Sequence, residues 1–460
     1  MKYNARYIWL ICAIAAMGGL LFGYDFVVIG GAKPFYEKYF ELNSAGMSGW
    51  ANSCALLGCL VGSLGSGLLT GRFGRKKILL LAALLFTISS ICTGWAPTFT
   101  WFVAWRIVGG TAIGLASNVS PMYIAEVSPA EWRGRLVSLN QLTIVTGILA
   151  AQIVNWLIAR PAPDNATAEM IRLSWNGQYA WRWMFTAVAV PAAIFFVSSW
   201  FVPESPRWLA QNGARDQARE ILSRIGGAPY ADRELRDIAQ TLSRETAARW
   251  RDLWAPSLRT IMAIGIFLAV LQQWSGINVI FNYAEEIYRS AGYNVNGILF
   301  NIVMTGAINV VCTLPALAFV DRFGRRILML AGCAGIGASH ALLGLAYHFG
   351  MKGLPVLVLT LATLACFSMT LGPVAWVLIS EIFPNRVRGM AVSISVSALW
   401  IACFLLTFTF PLLNSALGSS GTFWLYAGIC FVGFFVVLLR VPETKGKSLE
   451  QIEAELTTVA

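Results

Sequence analysis

The chain has 460 residues, of which 57% are hydrophobic and only 12% charged, and its formal net charge is +11. About a quarter of the residues in a typical soluble domain are charged, so this composition comes close to excluding a soluble enzyme, and its hydrophobicity excludes a disordered chain. The nine cysteines all lie inside apolar runs, which predicts small buried side chains rather than disulfides or metal ligands.

Long apolar segments follow one another along the whole chain. Stretches without a charged residue reach 24 residues at Leu136–Ala159, 25 at Thr260–Ala284 and 51 at Gly389–Leu439, and a membrane-spanning helix needs roughly 20. Because lipid offers no partner to backbone polar groups, these spans should be helices. Charge clusters and Gly or Pro divide the runs into twelve predicted spans, at 7–31, 49–71, 78–96, 101–123, 136–159, 182–202, 259–284, 297–320, 327–348, 354–380, 391–413 and 422–440.

Positive charge is distributed unevenly over the loops between these spans. With the N-terminus placed inside, the inner loops hold 26 of the 34 Lys and Arg residues, the outer loops hold seven, and Arg106 lies within a span. Cytoplasmic loops carry the excess of Lys and Arg, so we predict an integral protein of the cell (inner) membrane with both termini cytoplasmic. Because topology accounts for the net charge, no nucleic-acid partner is predicted.

The two halves of the chain repeat each other at three motifs. The repeated segments are Gly-Arg-Phe-Gly-Arg-Lys at 71–76 and Asp-Arg-Phe-Gly-Arg-Arg at 321–326, a Glu seven residues before an Arg-Gly pair at 126–134 and 381–389, and Val-Pro-Glu-Ser/Thr at 202–205 and 441–444. Such self-similarity indicates duplicated units. Two six-helix halves with the same orientation are a transporter architecture, in which the substrate binds midway across the membrane between them.

The repeats predict an all-α membrane protein with twelve transmembrane helices in two six-helix halves. The predicted parts are an N-terminal half (1–203), a cytoplasmic linker (204–258), a C-terminal half (259–441) and a cytoplasmic tail (442–460). Within the linker, Ala214–Ile225 and Ala231–Thr246 carry apolar residues at helical spacing. This spacing predicts short amphipathic helices at the cytoplasmic face, with a solvated linker as the alternative.

The repeated motifs place charged residues at the predicted cytoplasmic ends of helices. These residues can pair across helices and across halves while the cytoplasmic gate is shut. Single exposed pairs are weak, but a network that breaks on inward opening can bias two states separated by a few kcal/mol. The alternative is positive charge that only sets topology. The predicted cytoplasmic gate consists of Arg75, Glu126, Arg133, Arg325, Glu381 and Arg388.

Seven motifs in the same order carry a family resemblance. They are Gly-Gly-Leu-Leu-Phe-Gly-Tyr-Asp at 18–25, the two Arg-Phe-Gly-Arg loops, 120–126, Pro-Glu-Ser-Pro-Arg-Trp-Leu at 203–209, Gln-Gln-Trp-Ser-Gly-Ile-Asn at 272–278, and Pro-Glu-Thr-Lys-Gly at 442–446. From end to end the chain resembles the sugar porter family of the major facilitator superfamily. Within that family it resembles the bacterial sugar–proton symporters of the xylose type.

The resemblance implies which residues surround the sugar. The implied residues are Phe22, Gln141, Gln272, Gln273, Asn278, Asn309, Gly372, Trp376 and Trp400. The chemistry fits independently, since amides both donate and accept hydrogen bonds, as sugar hydroxyls do, and are costly to bury without partners. Hydrogen bonding between helices is the alternative. The chain departs from its relatives at Leu399 and Cys403, where they carry amides, and at Asn282, where they usually carry tyrosine.

Asp25 is the one acid, and Arg106 the one base, in the central parts of the predicted spans. An ionisable group at mid-membrane is expensive and by default functional. Burial disfavours a charged carboxylate while a neighbouring cation favours it, so this pair can act as a proton switch. The resemblance implies the same, because the symporters carry Asp at this position and the facilitators do not. The alternative is a permanent structural ion pair.

The sequence therefore predicts a proton-coupled symporter that imports a monosaccharide, xylose- or glucose-like, by alternating access. The expected partners are the sugar, protons and the lipid bilayer, the expected state is a monomer, and no cofactor is expected. An enzyme is not predicted, since the chain shows no Ser/His/Asp, Cys/His or phosphate-loop arrangement. The alternatives are a passive sugar facilitator and a membrane sugar sensor that binds without transporting. The loss of amides at Leu399 and Cys403 favours a pentose or a deoxyhexose.

Overall fold

The computed structural model describes residues 3–163, 167–244, 256–383 and 387–445, and within these ranges all regular structure is helical. The side chains of residues 241–244, 256, 257, 317, 321, 380 and 388 are not described. The end of the predicted linker (245–255) and most of the predicted tail (446–460) therefore lie outside the described residues.

The first half contains six long helices. Asn4, Ser44 and Thr98 cap three of them, since each side chain accepts a backbone N–H three residues further on. The helices are α1 (Ala5–Tyr39), α2 (Ala45–Phe73), α3 (Arg75–Gly94), α4 (Phe99–Val127), α5 (Arg133–Ile158) and α6 (Asn176–Ser199).

The second half repeats this arrangement with two interrupted helices. Its helices are α7 (Pro256–Trp274 continuing as Ile277–Asn282), α8 (Val295–Phe323), α9 (Arg325–His348), α10 (Leu354–Met369 continuing as Leu371–Glu381), α11 (388–417) and α12 (419–440). The last two form one run, Arg388–Arg440, with Gly418 in a non-helical conformation at φ 67°.

The described helices are long and apolar enough for twelve membrane crossings. Eleven helical runs qualify by length and composition, and the last of these, Gly389–Arg440, has 52 residues. A span needs roughly 20 residues, so this run supplies both α11 and α12. The predicted all-α fold with twelve spans is confirmed.

The two halves meet along a seam between α2 and α11 and between α5 and α8. Within the first half, α1 packs on α5 and α2 packs on α4. Small residues allow this close approach: a Cβ at Gly23 would collide with the carbonyl oxygen of Ile144, and one at Gly110 with that of Ala55. We call the end of the bundle that carries residue 5, the α2–α3 and α8–α9 loops and the linker the terminal face, and the opposite end the distal face.

Short helices at Pro206–Gln211, Arg215–Gly226 and Ala228–Arg244 join the halves. The last two correspond to the predicted amphipathic pair, except that residues 245 and 246 lie outside the described residues. The apolar stripe is buried at Ala218, Leu222 and Ile225. The start of the chain packs on this linker, because the backbone N–H of Asn4 donates to the carbonyl of Ile225 at 2.8 Å.

Candidate functional site

A cavity of ≈ 330 Å³ lies between the two halves. Small-molecule pockets commonly measure about 300–1,000 Å³. Its walls come from α1, α4 and α5 of the first half and from α7, α8, α10 and α11 of the second. All nine residues predicted to surround a sugar line this cavity: Phe22, Gln141, Gln272, Gln273, Asn278, Asn309, Gly372, Trp376 and Trp400.

Two interrupted helices place polar groups beside the cavity. α7 breaks at Ser275 and Gly276, where Gly276 adopts the left-handed conformation at φ 86° that glycine tolerates best. His340 closes over this break with its Nε2 2.9 Å from the carbonyl oxygen of Ser275. α10 breaks at Thr370, two residues before the cavity residue Gly372. Discontinuous helices at a central site are typical of membrane transporters.

The amides of α7 form a connected chain of hydrogen bonds. Gln272 donates through Nε2 to the carbonyl of Gly372 at 3.0 Å. Gln273 donates to Gln272 Oε1 at 3.1 Å and accepts from Asn278 Nδ2. On α8, Asn309 Oδ1 accepts from Ser368 at 2.7 Å. These bonds hold the amides in defined orientations before any ligand arrives, as a specific polar site requires.

An aromatic and apolar wall faces part of this polar chain. The rings of Phe22 and Trp400 lie 5.9 Å apart, centroid to centroid. Trp400 Nε1 is buried and has no hydrogen-bond partner among the described residues. Leu399 lines the cavity, while Cys403 lies behind Asn278 and accepts from its Nδ2 at 3.3 Å. The wall thus offers one unused donor where a polar ligand can bind.

Asp25 and Arg106 form a buried ion pair between α1 and α4. Arg106 NH1 donates to Asp25 Oδ1 at 2.8 Å, and NH2 lies 3.4 Å from the Asp25 backbone carbonyl. The residues are 4% and 3% exposed. Asp25 Oδ2 and Arg106 Nε have no partner among the described residues. The pair therefore retains hydrogen-bonding capacity, and neither residue lines the cavity.

The cavity extends towards the terminal face and is closed towards the distal face. Its lining includes Pro121 on α4 and Ser138 on α5, which lie on the terminal side of Gln141. Near the distal face the backbones of the two halves touch. A Cβ at Gly30 would collide with the carbonyl oxygen of Phe281, and one at Gly49 with that of Phe408. This structure is therefore open to one face only.

Four of the predicted gate residues form two ion pairs in this structure. Arg75 NH2 contacts Glu126 Oε1 at 2.7 Å, and Arg325 NH2 contacts Glu381 Oε1 at 3.0 Å. Both ion pairs cross between helices of one half. Pairing across the halves was predicted for the shut cytoplasmic gate and stays a prediction.

The two remaining gate residues form neither of these ion pairs. Arg133 Nε donates to the backbone carbonyl of Ala125 at 3.0 Å, so it ties the start of α5 to the end of α4. The side chain of Arg388 lies outside the described residues, and its predicted role stays a prediction.

The third repeated motif adds Glu204 and Glu443, which the predicted set of gate residues does not include. Glu204 accepts the backbone N–H of Arg75 at 2.8 Å, and Glu443 accepts that of Arg325 at 2.9 Å. A carboxylate at a helix N-terminus is stabilised by the unpaired N–H groups and the helix dipole. Ser205 and Thr444 add bonds to Glu126 and Glu381, respectively. In the sequence, the repeated Pro-Glu-Ser/Thr motif was the signal that pointed to Glu204 and Glu443.

A second buried charged cluster lies near the distal end of α1, outside the predicted span. α1 continues to Tyr39, beyond the predicted end at residue 31, so that Lys33 lies inside it and is 2% exposed. Lys33 contacts Glu37, Glu285 and Glu286. These carboxylates offset the cost of burying the ammonium group. The i,i+4 spacing of Lys33 and Glu37 was the only local signal.

Comparison of the sequence with known proteins identifies relatives that are transporters. The family model described as "Sugar (and other) transporter" matches residues 11–456. A glucose transport protein of Synechocystis is 40% identical, with 98% of this chain and 97% of that protein covered. The D-xylose-proton symporter of Escherichia coli K12 is 37% identical, with 98% and 96% covered.

A solved structure has the same fold. The partially occluded inward-open form of the xylose transporter XylE from E. coli superposes with a TM-score of 0.85 at 35% identity, covering 96% of this chain and 100% of that one. The family consists of membrane transporters rather than enzymes. The chain therefore belongs to the sugar transporter family, within the major facilitator superfamily.

Proposed function

We propose that this protein is a proton-coupled symporter that imports a monosaccharide across the cell (inner) membrane by alternating access. The observation that carries the proposal is the cavity between the halves, in which six amide side chains and six aromatic residues converge. A sugar offers hydroxyl groups that need donors and acceptors together and C–H faces that pack on aromatic rings. The proposed sugar transport fits what relatives of the family are named for.

In this proposal the amides of α5, α7 and α8 bind the hydroxyl groups. Gln141 acts from the first half, and Gln272, Gln273, Asn278 and Asn309 act from the second. Since both halves contact the sugar, its binding can be transmitted to the seam between them. Phe22, Trp376 and Trp400 pack against the ring, and the Trp400 Nε1 donor gains an acceptor.

The sugar we propose is a pentose or a deoxyhexose. Leu399 presents an apolar surface to the cavity, and the thiol of Cys403 is a weak hydrogen-bonding group. A sugar with an additional hydroxyl on that side would leave it without a good partner, at a cost of about 1–3 kcal/mol. Asn282 is buried but does not line the cavity, so we assign it no contact with the sugar.

Asp25 is the proposed proton carrier. When its carboxylate is charged, the ion pair with Arg106 holds α1 to α4; protonation weakens that attraction and frees α1 to move with the loaded carrier. Such opposition between burial and a nearby cation is how a carboxylate becomes sensitive to its surroundings. Asp25 Oδ2 is already without a partner among the described residues and is the oxygen we propose to accept the proton.

We assign the terminal face to the cytoplasm, with both termini there, because 26 of the 34 Lys and Arg residues belong to its loops. The structure is then inward-facing. The functional units are the halves 1–203 and 259–441, joined by the linker 204–258 and followed by the tail 442–460, and the working unit is a monomer in the lipid bilayer. The gate residues (Arg75, Glu126, Arg133, Arg325, Glu381 and Arg388) stabilise the terminal ends of the helices during each cycle.

Uptake of labelled sugars into vesicles tests this function. Xylose, a 6-deoxy sugar and glucose are compared with and without an inside-alkaline pH gradient. The proposal requires uphill uptake that depends on the gradient and is abolished by a protonophore, with xylose or the deoxy sugar preferred over glucose. Uptake indifferent to the gradient identifies a passive facilitator with a structural Asp25–Arg106 pair, and binding without uptake identifies a sensor.

A further inference from the structure

The second buried charged cluster joins the two halves at the closed end of the molecule. Lys33 Nζ lies 3.1 Å from Glu37 on its own helix and 3.8 Å from Glu285. It also forms an ion pair with Glu286. Glu285 and Glu286 belong to the short helix Ala284–Ser290, which follows α7 in the second half. A single buried ammonium group thus connects α1 to the opposite half.

The cluster lies directly beside a close contact between the backbones of the two halves. Gly30 is one turn before Lys33 on α1, and a Cβ there would collide with the carbonyl oxygen of Phe281. The Lys33 ammonium group lies 5.5 Å from the centre of the Tyr283 ring, which is buried against Phe410 of α11. In this state the Lys33 side chain is only 3% exposed and the Glu286 side chain 26% exposed, so water is kept from the ammonium group but reaches part of its partner.

Separation of the halves removes more contacts from Glu286 than from the other members of the cluster. Glu37 moves with Lys33 and keeps its bond from Ser48, and Glu285 keeps its ion pair with Arg289. Glu286 would keep no comparable contact. Its ion-pair partner is Lys33, and the Oε2 atom of Glu286 has no hydrogen-bond partner among the described residues. The Lys33–Glu286 contact is thus the one whose loss leaves a carboxylate without an ion-pair partner among the described residues.

From these contacts we infer that Lys33 and Glu286 form an ionic lock that holds the distal face closed. Breaking a buried pair is costly because each charge must be rehydrated or left unpaired. The lock therefore favours the state with the cavity open to the terminal face, and its opening precedes exposure of the cavity at the distal face. The inference goes beyond the proposed function, since it requires neither a particular sugar nor proton coupling.

Hydrogen–deuterium exchange of the full chain in lipid nanodiscs, without sugar, tests the lock. We expect Lys33→Gln and Glu286→Gln to raise exchange about tenfold in residues 277–290, within the range of couplings between charges in one network. Exchange should fall at the same time in residues 133–141 and 371–381, which border the open end of the cavity. Such opposite changes report a shift between two states, whereas a purely structural role raises exchange at both faces.

Two further variants complete the test. Lys33→Glu combined with Glu286→Lys keeps one cation and three carboxylates in the cluster and should restore the wild-type pattern even where a single variant folds poorly. Lys38→Gln removes a positive charge from the last turn of the same helix and should leave exchange unchanged. Single variants that match wild type, a uniform rise in exchange, or a double variant that behaves like the single ones would each overturn the lock.

Discussion

At the residue scale, the amide chain on α7 explains how a polar ligand site is kept ready in an apolar protein. Gln273 occupies its middle, donating to Gln272 and accepting from Asn278. Each bond satisfies a group that would be costly to bury alone. The site is therefore organised before the sugar binds, and removing the central amide disturbs both neighbours as well as the sugar contact.

We predict that Gln273→Ala loses most sugar binding while the protein still folds and inserts. The lost hydrogen bonds correspond to about 1–3 kcal/mol, a roughly 5- to 150-fold weaker affinity. Calorimetry on the purified protein measures this directly. Asn155→Ala is the control, because Asn155 is a buried amide that bonds to Val28 within the first half and does not line the cavity. Wild-type affinity in Gln273→Ala would mean that the hydrogen-bonded amides of α7 have only a structural role.

Asp25→Asn should separate sugar binding from energy coupling. An amide imitates the protonated carboxyl permanently and cannot cycle a proton, so accumulation against a gradient should be abolished. Sugar affinity should persist, since Asp25 does not line the cavity. Vesicle uptake with an inside-alkaline pH gradient measures accumulation, and equilibrium binding measures sugar affinity. Uphill accumulation by the variant would contradict the proposed role of Asp25.

At the element scale, the break in α7 decides how Gln273 and Asn278 face each other. Gly276→Ala should weaken sugar binding and lower stability by about 1–2 kcal/mol, because an L-residue in the left-handed conformation is strained and the new Cβ would lie 2.9 Å from His340 Nε2. Thermal unfolding and calorimetry measure the two effects. Gly428→Ala on α12 meets open space and should change neither. Equal behaviour of the two variants would show that the break is dispensable.

The gate motifs connect the ends of neighbouring helices. Glu381→Gln should slow transport more than it weakens binding, because Glu381 lies outside the cavity and ties α10 to Arg325 and Thr444. Turnover in vesicles is compared with equilibrium affinity for the same variant. Asp232→Asn, which removes an exposed linker carboxylate, is the control. A normal transport rate in Glu381→Gln would reduce the motif to a determinant of topology.

At the scale of the whole molecule, the repeat and the charge distribution require both termini on one face. An epitope at the C-terminus should be accessible in inside-out vesicles and protected in right-side-out vesicles, since the loops of that face carry most of the positive charge. An epitope inserted at Gly350, between α9 and α10, should show the reverse. Accessibility of both epitopes from the same side would overturn the assignment of the terminal face.

The sequence alone determined the features that depend on residues close together along the chain. Apolar runs of 20 or more residues require helices in lipid wherever they occur, so the twelve spans follow without knowledge of their packing. The amides of α7 stand out because polar groups inside an apolar run are costly. The family resemblance then implied nine residues around a sugar; all nine line the cavity, and their contact with a sugar stays a prediction.

The tertiary structure decided which distant groups meet and which end of the cavity is open. Lys33 and Glu286 are 253 positions apart, and no local pattern distinguishes them from ordinary loop charges. Arg75 and Arg325 each pair with a glutamate of their own half, and the carboxylates of Glu204 and Glu443 reach the N-termini of α3 and α9 only after the halves have folded. Long-range pairing and conformational state depend on packing, so the sequence pattern could not reveal them.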